Sequence, residues 1–377
     1  MKKKYIIFSI VTLVLLVSFL SYSKYLKTTN VCKEDVKPTK ITKGISMNLE
    51  QTAGAGDYKT VTQSSWPTKG YKFNAELSRC ENGSTLSWDD TKKAVIMQGN
   101  VSDKCYVYFD KILTLAKYVI SQYTGTQGDN ALYYHNSTLT NGAGDNSYRY
   151  AGASDSVNNY ICLGSDKATC PDANLFRIIG VFGDQTKVIR AKSVGDKQWH
   201  TSPNNTWSSS SLNTYLNGEY LTSLGTLADK IATTTWKVGG GIWSNIVTSV
   251  PKTAYQYEVG SSASNTTVDK KIGLMYVTDY YYSASPSAWT LVGYNESDET
   301  KDYRAAKTTN WLYLGSYEWT ISRLSDGTSF AFVVLSAGRV SYGTVSTSDV
   351  VRPSFNLESS VKYVSGSGSM SDPVRVN

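Results

Sequence analysis

The chain has 377 residues, of which 40% are hydrophobic, 18% charged and 12% aromatic. This length suggests two or three globular units, and the composition excludes a coiled coil, a collagen and a charge-rich disordered chain. The formal net charge is +7, but nine lysines and two acidic residues fall within residues 1–43, so the remainder carries 29 basic and 29 acidic side chains. Nucleic-acid binding requires a basic surface. The balanced charge of the main part therefore predicts no nucleic-acid partner.

The N-terminal segment is typical of a membrane anchor. Three lysines precede Tyr5–Ser23, a stretch without charges that would measure about 28 Å as a helix, close to the thickness of a bilayer core. A cleaved signal peptide is the alternative, because small serines lie at the end of the stretch. We predict a signal anchor at residues 1–27, a polar stalk at 28–43, and a single-pass protein of the cell membrane whose C-terminal part is extracellular.

Five cysteines in an exported chain indicate disulfide bonds. Cys80 ends one alternating segment and Cys105 begins another, and Cys162 and Cys170 flank a short polar loop. We therefore predict the bonds Cys80–Cys105 and Cys162–Cys170. Cys32, in the stalk, is left unpaired or forms an intermolecular bridge. Because no CxxC motif occurs and the chain has only two histidines, we predict neither a metal site nor a cofactor.

Hydrophobic periodicity divides the exported part. Alternation at 71–77 and 105–109, together with a short apolar run at 94–97, predicts strands of a small β-sandwich module over residues 44–110. The spacing then changes to that of a helix, which we predict as a linker at 111–123.

The remaining residues, 124–377, predict one large domain with long glycine- and serine-rich loops. We expect hairpins at 175–192 and 330–345, helices near 211–221 and 226–235, and a buried strand at 272–277.

Six short strings stand out in this region of the chain. They are Asn158–Cys162, Leu175–Val181, Trp207 with Ser211–Asn217, Glu318–Ser322, Val351–Leu357 and Gly366–Ser369. Over roughly residues 129–377 they resemble a family of uncharacterised exported domains of Firmicutes type. The fold of that family is similar to the C-type-lectin-like fold of formylglycine-generating enzymes. The resemblance implies an α+β, lectin-like C-terminal domain and brings no activity with it.

Two activities known for that fold can be tested against the residues of this chain. Formylglycine-generating enzymes use cysteines late in the fold, and none follows Cys170. Calcium-dependent lectins use Glu-Pro-Asn or Gln-Pro-Asp followed by Trp-Asn-Asp, and none of these tripeptides occurs. Neither activity is expected.

No motif for catalysis is present. The chain lacks Gly-x-Ser-x-Gly, HExxH and phosphate-loop patterns, and His135 and His200 lie in polar segments without an evident acid partner. A glycosidase needs only two suitably spaced carboxylates. Glu258, Asp279 and Glu318 lie near aromatic segments and are the candidates for such a pair. We predict that the protein is not an enzyme.

Aromatic side chains in loop-like segments are the positive signal for function. Tyr280, Tyr281, Tyr282 and Trp289 follow a predicted strand, and Trp243 follows three glycines. Exposed tyrosines and tryptophans provide a large contact area at a low cost in entropy. These five residues are our candidate ligand-binding residues, and burial in the core is the alternative.

Together these predictions favour a membrane-anchored extracellular binding or adhesion protein of a bacterial cell surface. Its ligand would be a protein or a glycan, and residues 5–23 would contact the membrane. A cell-wall or glycan hydrolase that uses Glu258 or Asp279 is one alternative. A structural envelope or filament component is another, although a filament would be expected to extend an apolar helix beyond Lys24, where the sequence is polar.

Overall fold

The computed structural model describes residues 33–35, 44–62, 65–67, 70–100 and 102–377. The chain divides into two units, residues 1–113 and 114–377. Strands account for 34% of the structure and helices for 19%. This is the reverse of the proportions of an average globular domain, so the protein is mostly β-sheet.

The predicted fold class, a transmembrane helix followed by an α+β lectin-like domain, is therefore wrong. Within the described ranges, no helix has both the length and the apolar character needed to cross a membrane. The predicted anchor at residues 1–27, with its membrane-contacting residues 5–23, lies outside those ranges. The predicted localisation, a single-pass membrane protein with an extracellular part, is likewise not supported.

The first unit is built from short strands. They are β1 (Lys33–Asp35), β2 (Ile45–Glu50), β3 (Tyr58–Val61), β4 (Tyr71–Cys80), β5 (Thr85–Asp89), β6 (Ala94–Gln98) and β7 (Cys105–Lys111). They form one sheet in the order β1-β6-β5 and another in the order β3-β2-β7-β4. Strand β1 lies within the segment that we predicted as a stalk. Cys32 is outside the described residues.

The two sheets of the first unit share one core. Met47 and Phe109 of the larger sheet and Val95 of the smaller sheet belong to the same cluster of buried residues. Cys80 and Cys105 are opposite residues of the antiparallel strands β4 and β7, and they form the predicted disulfide bond. The alternation in the sequence places one face of each strand against this core.

The second unit contains more strands and several short helices. Its strands are β8 (Leu132–Tyr134), β9 (Tyr148–Tyr150), β10 (Tyr160–Cys162), β11 (Leu175–Phe182), β12 (Gln185–Arg190), β13 (Asp196–Gln198), β14 (Thr234–Lys237), β15 (Thr267–Lys270), β16 (Ile272–Gly273), β17 (Glu318–Arg323), β18 (Phe330–Val334), β19 (Val340–Thr344), β20 (Ser348–Val350), β21 (Ser354–Leu357), β22 (Tyr363–Ser365) and β23 (Val374–Val376). Its α-helices are α1 (Leu115–Ser121), α2 (Ser211–Tyr215), α3 (Leu221–Ser223), α4 (Trp243–Ile246), α5 (Pro251–Glu258) and α6 (Val277–Tyr282). A π-helical turn, Leu216–Tyr220, joins α2 to α3. Single 3₁₀ turns occur at Asp129–Ala131, Asp172–Asn174, Trp207–Ser209, Gly225–Lys230, Pro286–Thr290, Glu299–Lys301 and Lys307–Thr309.

The largest sheet among the described residues has nine strands. Seven follow the order β16-β21-β12-β11-β10-β23-β22, and β9 and β8 continue the sheet beside the second half of β11. Strand β23 runs parallel to β10. A five-stranded sheet has the order β13-β20-β17-β18-β19, and β14 pairs with β15. Phe176 and Phe355 of the nine-stranded sheet share one core with Trp319 and Phe332 of the five-stranded sheet.

Helix α1 belongs to this second core. Its apolar residues Leu115, Ala116 and Val119 are buried there, and the backbone N–H of Leu115 donates to the carbonyl of Val361. The helical spacing at 111–123 was correctly identified, but the helix packs into one unit and is not a free linker.

Several predicted elements are found and others are not. The hairpins β11–β12 and β18–β19 and the disulfide bond Cys162–Cys170 are confirmed. The predicted helix at 226–235 is wrong, because a 3₁₀ turn ends at Lys230 and strand β14 follows. The predicted strand at 272–277 is only two residues long, and helix α6 begins at Val277.

Candidate functional site

Four of the five predicted ligand-binding residues lie in the core. Tyr280, Tyr281, Tyr282 and Trp289 each expose 1% of their surface or less. The tyrosines belong to helix α6 and not to a loop. They cannot form the exposed aromatic surface that we predicted from the sequence.

Local packing explains why three consecutive tyrosines are buried. Successive side chains of a helix point about 100° apart, so a helix buries all three only when it is covered on every side. Tyr280 donates its hydroxyl to the carbonyl of Gly338 at 2.7 Å, and Tyr281 donates to that of Ile246 at 2.9 Å. Burial raises the pKa of both hydroxyls well above the usual value. These hydroxyls act as fixed hydrogen-bond donors within the core.

Glu258 holds the start of helix α6. Its two carboxylate oxygens accept hydrogen bonds from the backbone N–H groups of Val277 and Thr278, both at 2.8 Å, and from the Thr278 and Ser322 hydroxyls. Burial raises the pKa of Glu258 although these hydrogen bonds oppose the shift. All of these contacts are structural, because a carboxylate at a helix N-terminus satisfies N–H groups that have no partner in the helix.

Glu318 forms a buried ion pair with Arg352. Both oxygens of Glu318 accept from the guanidinium, at 2.7 and 2.8 Å, and Arg352 also donates to the carbonyl of Leu312 at 2.6 Å. Burial raises the pKa of Glu318, and Arg352 opposes that rise. Breaking such a pair would leave an uncompensated buried charge.

Asp279, the third candidate carboxylate, joins a chain of buried charges. It accepts from the backbone N–H of Tyr276 at 2.8 Å and from Lys187 Nζ at 2.5 Å, and its Oδ1 lies 3.7 Å from a guanidinium nitrogen of Arg149. Arg149 also pairs with Asp145 at 2.6 Å. We call Asp145, Arg149, Asp279 and Lys187 the charge chain. It contains two cations and two carboxylates.

Sheet register places the two cations side by side. Gly180 of β11 lies opposite Arg149 of β9 on one side and opposite Lys187 of β12 on the other. Burial lowers the pKa of Lys187, and Asp279 opposes this shift. Burial also acts on Asp145, but the guanidinium of Arg149 holds the pKa of this carboxyl well below its usual range. The charge chain is therefore a neutral, internally paired unit.

The two histidines occupy different environments. His135 is fully buried, and its Nδ1 accepts from the backbone N–H of Ala143 at 3.1 Å. Burial, with a smaller contribution from Arg149, lowers the pKa of His135 well below the usual value. His200 is half-exposed. The sequence had suggested polar loops for both residues, and the structure places only His200 at the surface.

Trp243 is the one predicted ligand-binding residue that reaches the surface. Its ring contacts Tyr342 at 5.4 Å and Tyr294 at 6.2 Å between centroids, and Tyr342 contacts Phe330 at 5.1 Å. Tyr342 is 43% exposed, and the other three rings are half-buried. These rings, with their neighbours, form what we call the Trp243 surface, which consists of Ile242, Trp243, Tyr294, Phe330, Arg339 and Tyr342.

The glycines before Trp243 position it. Gly240 has a positive φ of 62°, and a Cβ atom at this residue would lie 1.9 Å from the carbonyl oxygen of Arg323. The backbone N–H of Gly241 donates to that same carbonyl. Close packing of a glycine loop on strand β17 thus presents helix α4 and its tryptophan to solvent.

The Trp243 surface is continuous with a basic depression. Arg339 lies over the ring of Tyr294, with Cζ 4.2 Å from the centroid. It also lines a depression of about 470 Å³ together with Glu299, Arg304 and Lys307. Arg304 is paired with Glu299 and Asp302, whereas the salt bridges between described residues include neither Arg339 nor Lys307. The depression therefore carries positive charge that is available to a partner.

Sequence reasoning missed most of these residues. Phe330 and Tyr342 lie on the predicted hairpin β18–β19, whereas Tyr294 comes much earlier in the chain and gave no signal. Lys187 was detectable as a charged residue within the predicted hairpin at 175–192, whereas nothing in the sequence pairs it with Asp279. One further cluster, Cys80, Asp103 and Cys105, has the proximity of metal ligands, but its cysteines are joined in a disulfide bond.

Comparison with known proteins gives one match. A family model described as a domain of unknown function (DUF6273) matches residues 183–359, a little under half of the chain. This part of the chain is similar to that family. It contains the whole Trp243 surface, together with Lys187 and Asp279, whereas Asp145 and Arg149 lie before it. No curated protein and no solved structure matches the chain. These findings name no activity and do not test the resemblance to the exported lectin-like family.

The first prediction concerns Glu258. The substitution Glu258→Gln places an amide NH₂ group opposite the backbone N–H of Val277 or of Thr278. We expect a loss of about 1–3 kcal/mol in the free energy of unfolding, measured by urea denaturation, because a buried donor is left without an acceptor.

The exposed Glu296→Gln variant is the control, and its effect should stay within about 0.5 kcal/mol. Equal stability of the two variants would contradict the structural role of Glu258.

The second prediction concerns pH. The pKa of His135 is lower in the folded chain than in the unfolded chain, so below about pH 6.5 the unfolded chain binds more protons and stability falls as the pH decreases. In His135→Gln, the dependence of unfolding free energy on pH between about 6.5 and 5 should become shallower, by up to about 1.4 kcal/mol per pH unit.

His200→Gln is the matched control, since it removes the only other histidine of the chain. If His200→Gln changes the slope and His135→Gln does not, the assignment to the buried histidine is incorrect.

Proposed function

We propose that the second unit is a protein-binding module, and that its partner docks on the Trp243 surface. The observation that carries this proposal is the continuous set of four partly exposed aromatic rings that ends in an arginine stacked on Tyr294. Tryptophan, tyrosine and arginine are the residue types that contribute most to the free energy of protein–protein binding.

Ring geometry favours a protein partner over a glycan. The rings of Trp243, Tyr342, Phe330 and Tyr294 meet at interplanar angles of 75°, 84° and 66°. A sugar ring stacks best on a flat aromatic face, whereas rings packed edge to face form an uneven surface. The side chains of a protein segment can fit such an uneven surface.

Charge indicates the chemistry of the partner. Arg339 and Lys307 are free to pair with carboxylates, and they lie at one end of the aromatic rings. A segment with apolar side chains followed by acidic ones would complement both parts. We therefore propose an acidic protein segment as the ligand.

The hydrolase alternative receives less support. Each carboxylate considered for it has a set of structural partners: Glu258 at the start of α6, Asp279 in the charge chain and Glu318 with Arg352. A glycosidase needs two carboxylates that act on one substrate, and of these three only Asp279 lines the cavity of about 200 Å³ beside the charge chain. We accordingly propose a non-enzymatic role. No observation favours the filament alternative.

Selection of a phage-displayed peptide library on the purified full-length chain tests the proposal. We expect the selected peptides to combine apolar and acidic residues. Tyr342→Ala and Trp243→Ala should weaken their binding by about tenfold or more, because each removes a large part of the contact area. Arg339→Gln should weaken binding mainly at low salt, since salt screens its charge.

Tyr257→Ala is the matched control, because Tyr257 is exposed to a similar extent, 38%, and lies outside the Trp243 surface. Thermal unfolding of every variant separates loss of binding from loss of fold. Selected peptides that bind Tyr342→Ala and Arg339→Gln as tightly as the unchanged chain would refute the proposal, as would selective binding of neutral glycans at this surface.

A further inference from the structure

A second cavity, of about 200 Å³, lies beside the charge chain. It shares no residue with the Trp243 surface. Four aromatic residues, Phe182, Trp236, Tyr255 and Tyr276, form part of its wall, which also includes the exposed Thr235. Typical sites for drug-sized ligands measure about 300–1,000 Å³. The size of this cavity therefore limits its occupant to about one small ring.

The cavity wall contains a buried polar atom without a partner. Asn356, on strand β21, is only 9% exposed, and its side-chain NH₂ donates to the Thr234 hydroxyl at 3.0 Å. Its Oδ1 is buried and has no hydrogen-bond partner among the described residues. Asn356 lies directly opposite Lys187 on the neighbouring strand, so both side chains are on the same face of the sheet. A buried acceptor of this kind is costly unless something donates to it.

Other polar groups of the wall complement this acceptor. The Tyr276 hydroxyl oxygen accepts from the backbone N–H of Lys237 at 2.9 Å, which leaves its own proton available. Lys187 donates to Asp279, and its Nζ lies 4.5 Å from the centroid of the Tyr276 ring. The wall thus offers one acceptor and two donors to an occupant that carries both kinds of group.

The charges of the wall decide the charge of the occupant. Arg149, Lys187 and Asp279 line the cavity, and all three are paired within the charge chain. The further charged side chain of the wall, Lys237, is half-exposed. Beside Arg149, Lys187 and Asp279, an ionic group would lose its hydration without gaining an unpaired partner. The interior therefore suits an uncharged molecule.

We propose that this cavity binds a small uncharged polyhydroxyl compound, about the size of one sugar ring. One hydroxyl donates to Asn356 Oδ1, and others accept from Lys187 and Tyr276. The C–H groups of the ring lie against the aromatic wall. This site is independent of the protein-binding surface and remains tenable if that surface has another role.

Calorimetric titration of the full-length chain tests the proposal. The probes are glucose, galactose, mannose and myo-inositol, each of the three sugars compared with its uronate and its 2-amino derivative. At least one neutral probe should bind with a Kd of about 10 mM or tighter. The anionic and cationic derivatives of that probe should bind at least about tenfold more weakly.

Two variants show whether binding occurs in this cavity. Asn356→Leu removes the amide at similar size and should weaken binding by about tenfold or more. Tyr342→Ala, on the other surface, should leave this affinity unchanged. Should Asn356→Leu fail to fold, a shift of the Asn356 side-chain amide resonances upon titration of the unchanged chain gives the same information.

Three results would overturn the proposal. The first is no binding of any neutral probe in this range. The second is tighter binding of a charged derivative than of its neutral parent. The third is unchanged affinity in Asn356→Leu, or, in the resonance measurement, an unperturbed Asn356 amide while a probe binds.

Discussion

The carboxylate of Asp279 is the contact on which the centre of the second unit depends. It belongs to helix α6 and accepts from the backbone N–H of Tyr276, just before that helix. It also pairs with Lys187 on β12 and lies beside Arg149 on β9. One side chain thereby connects a helix with two strands that are not neighbours in the nine-stranded sheet. Without it, the buried Lys187 would lose its ion-pair partner and Arg149 would keep Asp145 alone. This contact and the hydrogen bonds of Glu258 to Val277 and Thr278 together hold helix α6 in place.

Several charged groups in the interior of the second unit are paired, whereas some of those at its surface are not. Inside the second unit, Asp279 and Glu318 each form a buried ion pair, with Lys187 and Arg352 respectively, so these carboxylates support the fold. At the Trp243 surface, the aromatic rings and Arg339 remain accessible. This contrast between paired interior carboxylates and an accessible aromatic surface is the reason why we propose binding of a partner and not catalysis.

The sequence was sufficient where structure depends on neighbours in the chain. Alternation identified strands such as β4 and β7, and the positions of the cysteines at strand ends and beside a short loop identified both disulfide bonds. Prediction from the sequence failed where contacts between distant segments determine the structure. Tyr280–Tyr282 are polar enough for a loop but are buried because remote loops cover helix α6, and the residues around Trp243 come together only through tertiary packing. The lectin-like expectation rested on short strings, which carry no information about the proportion of strand to helix.

The position of strand β23 has a consequence for how the second unit is assembled. It lies inside the nine-stranded sheet, between β10 and β22, and it pairs Val374 with Ile161. These partners are separated by roughly 200 residues, and contacts of such high order form slowly because a long loop must close first. Until β23 reaches β10, the edge of β10 that it covers has unpaired backbone N–H and C=O groups that could pair with another strand. We therefore expect the addition of β23 to be a late step in the folding of this unit.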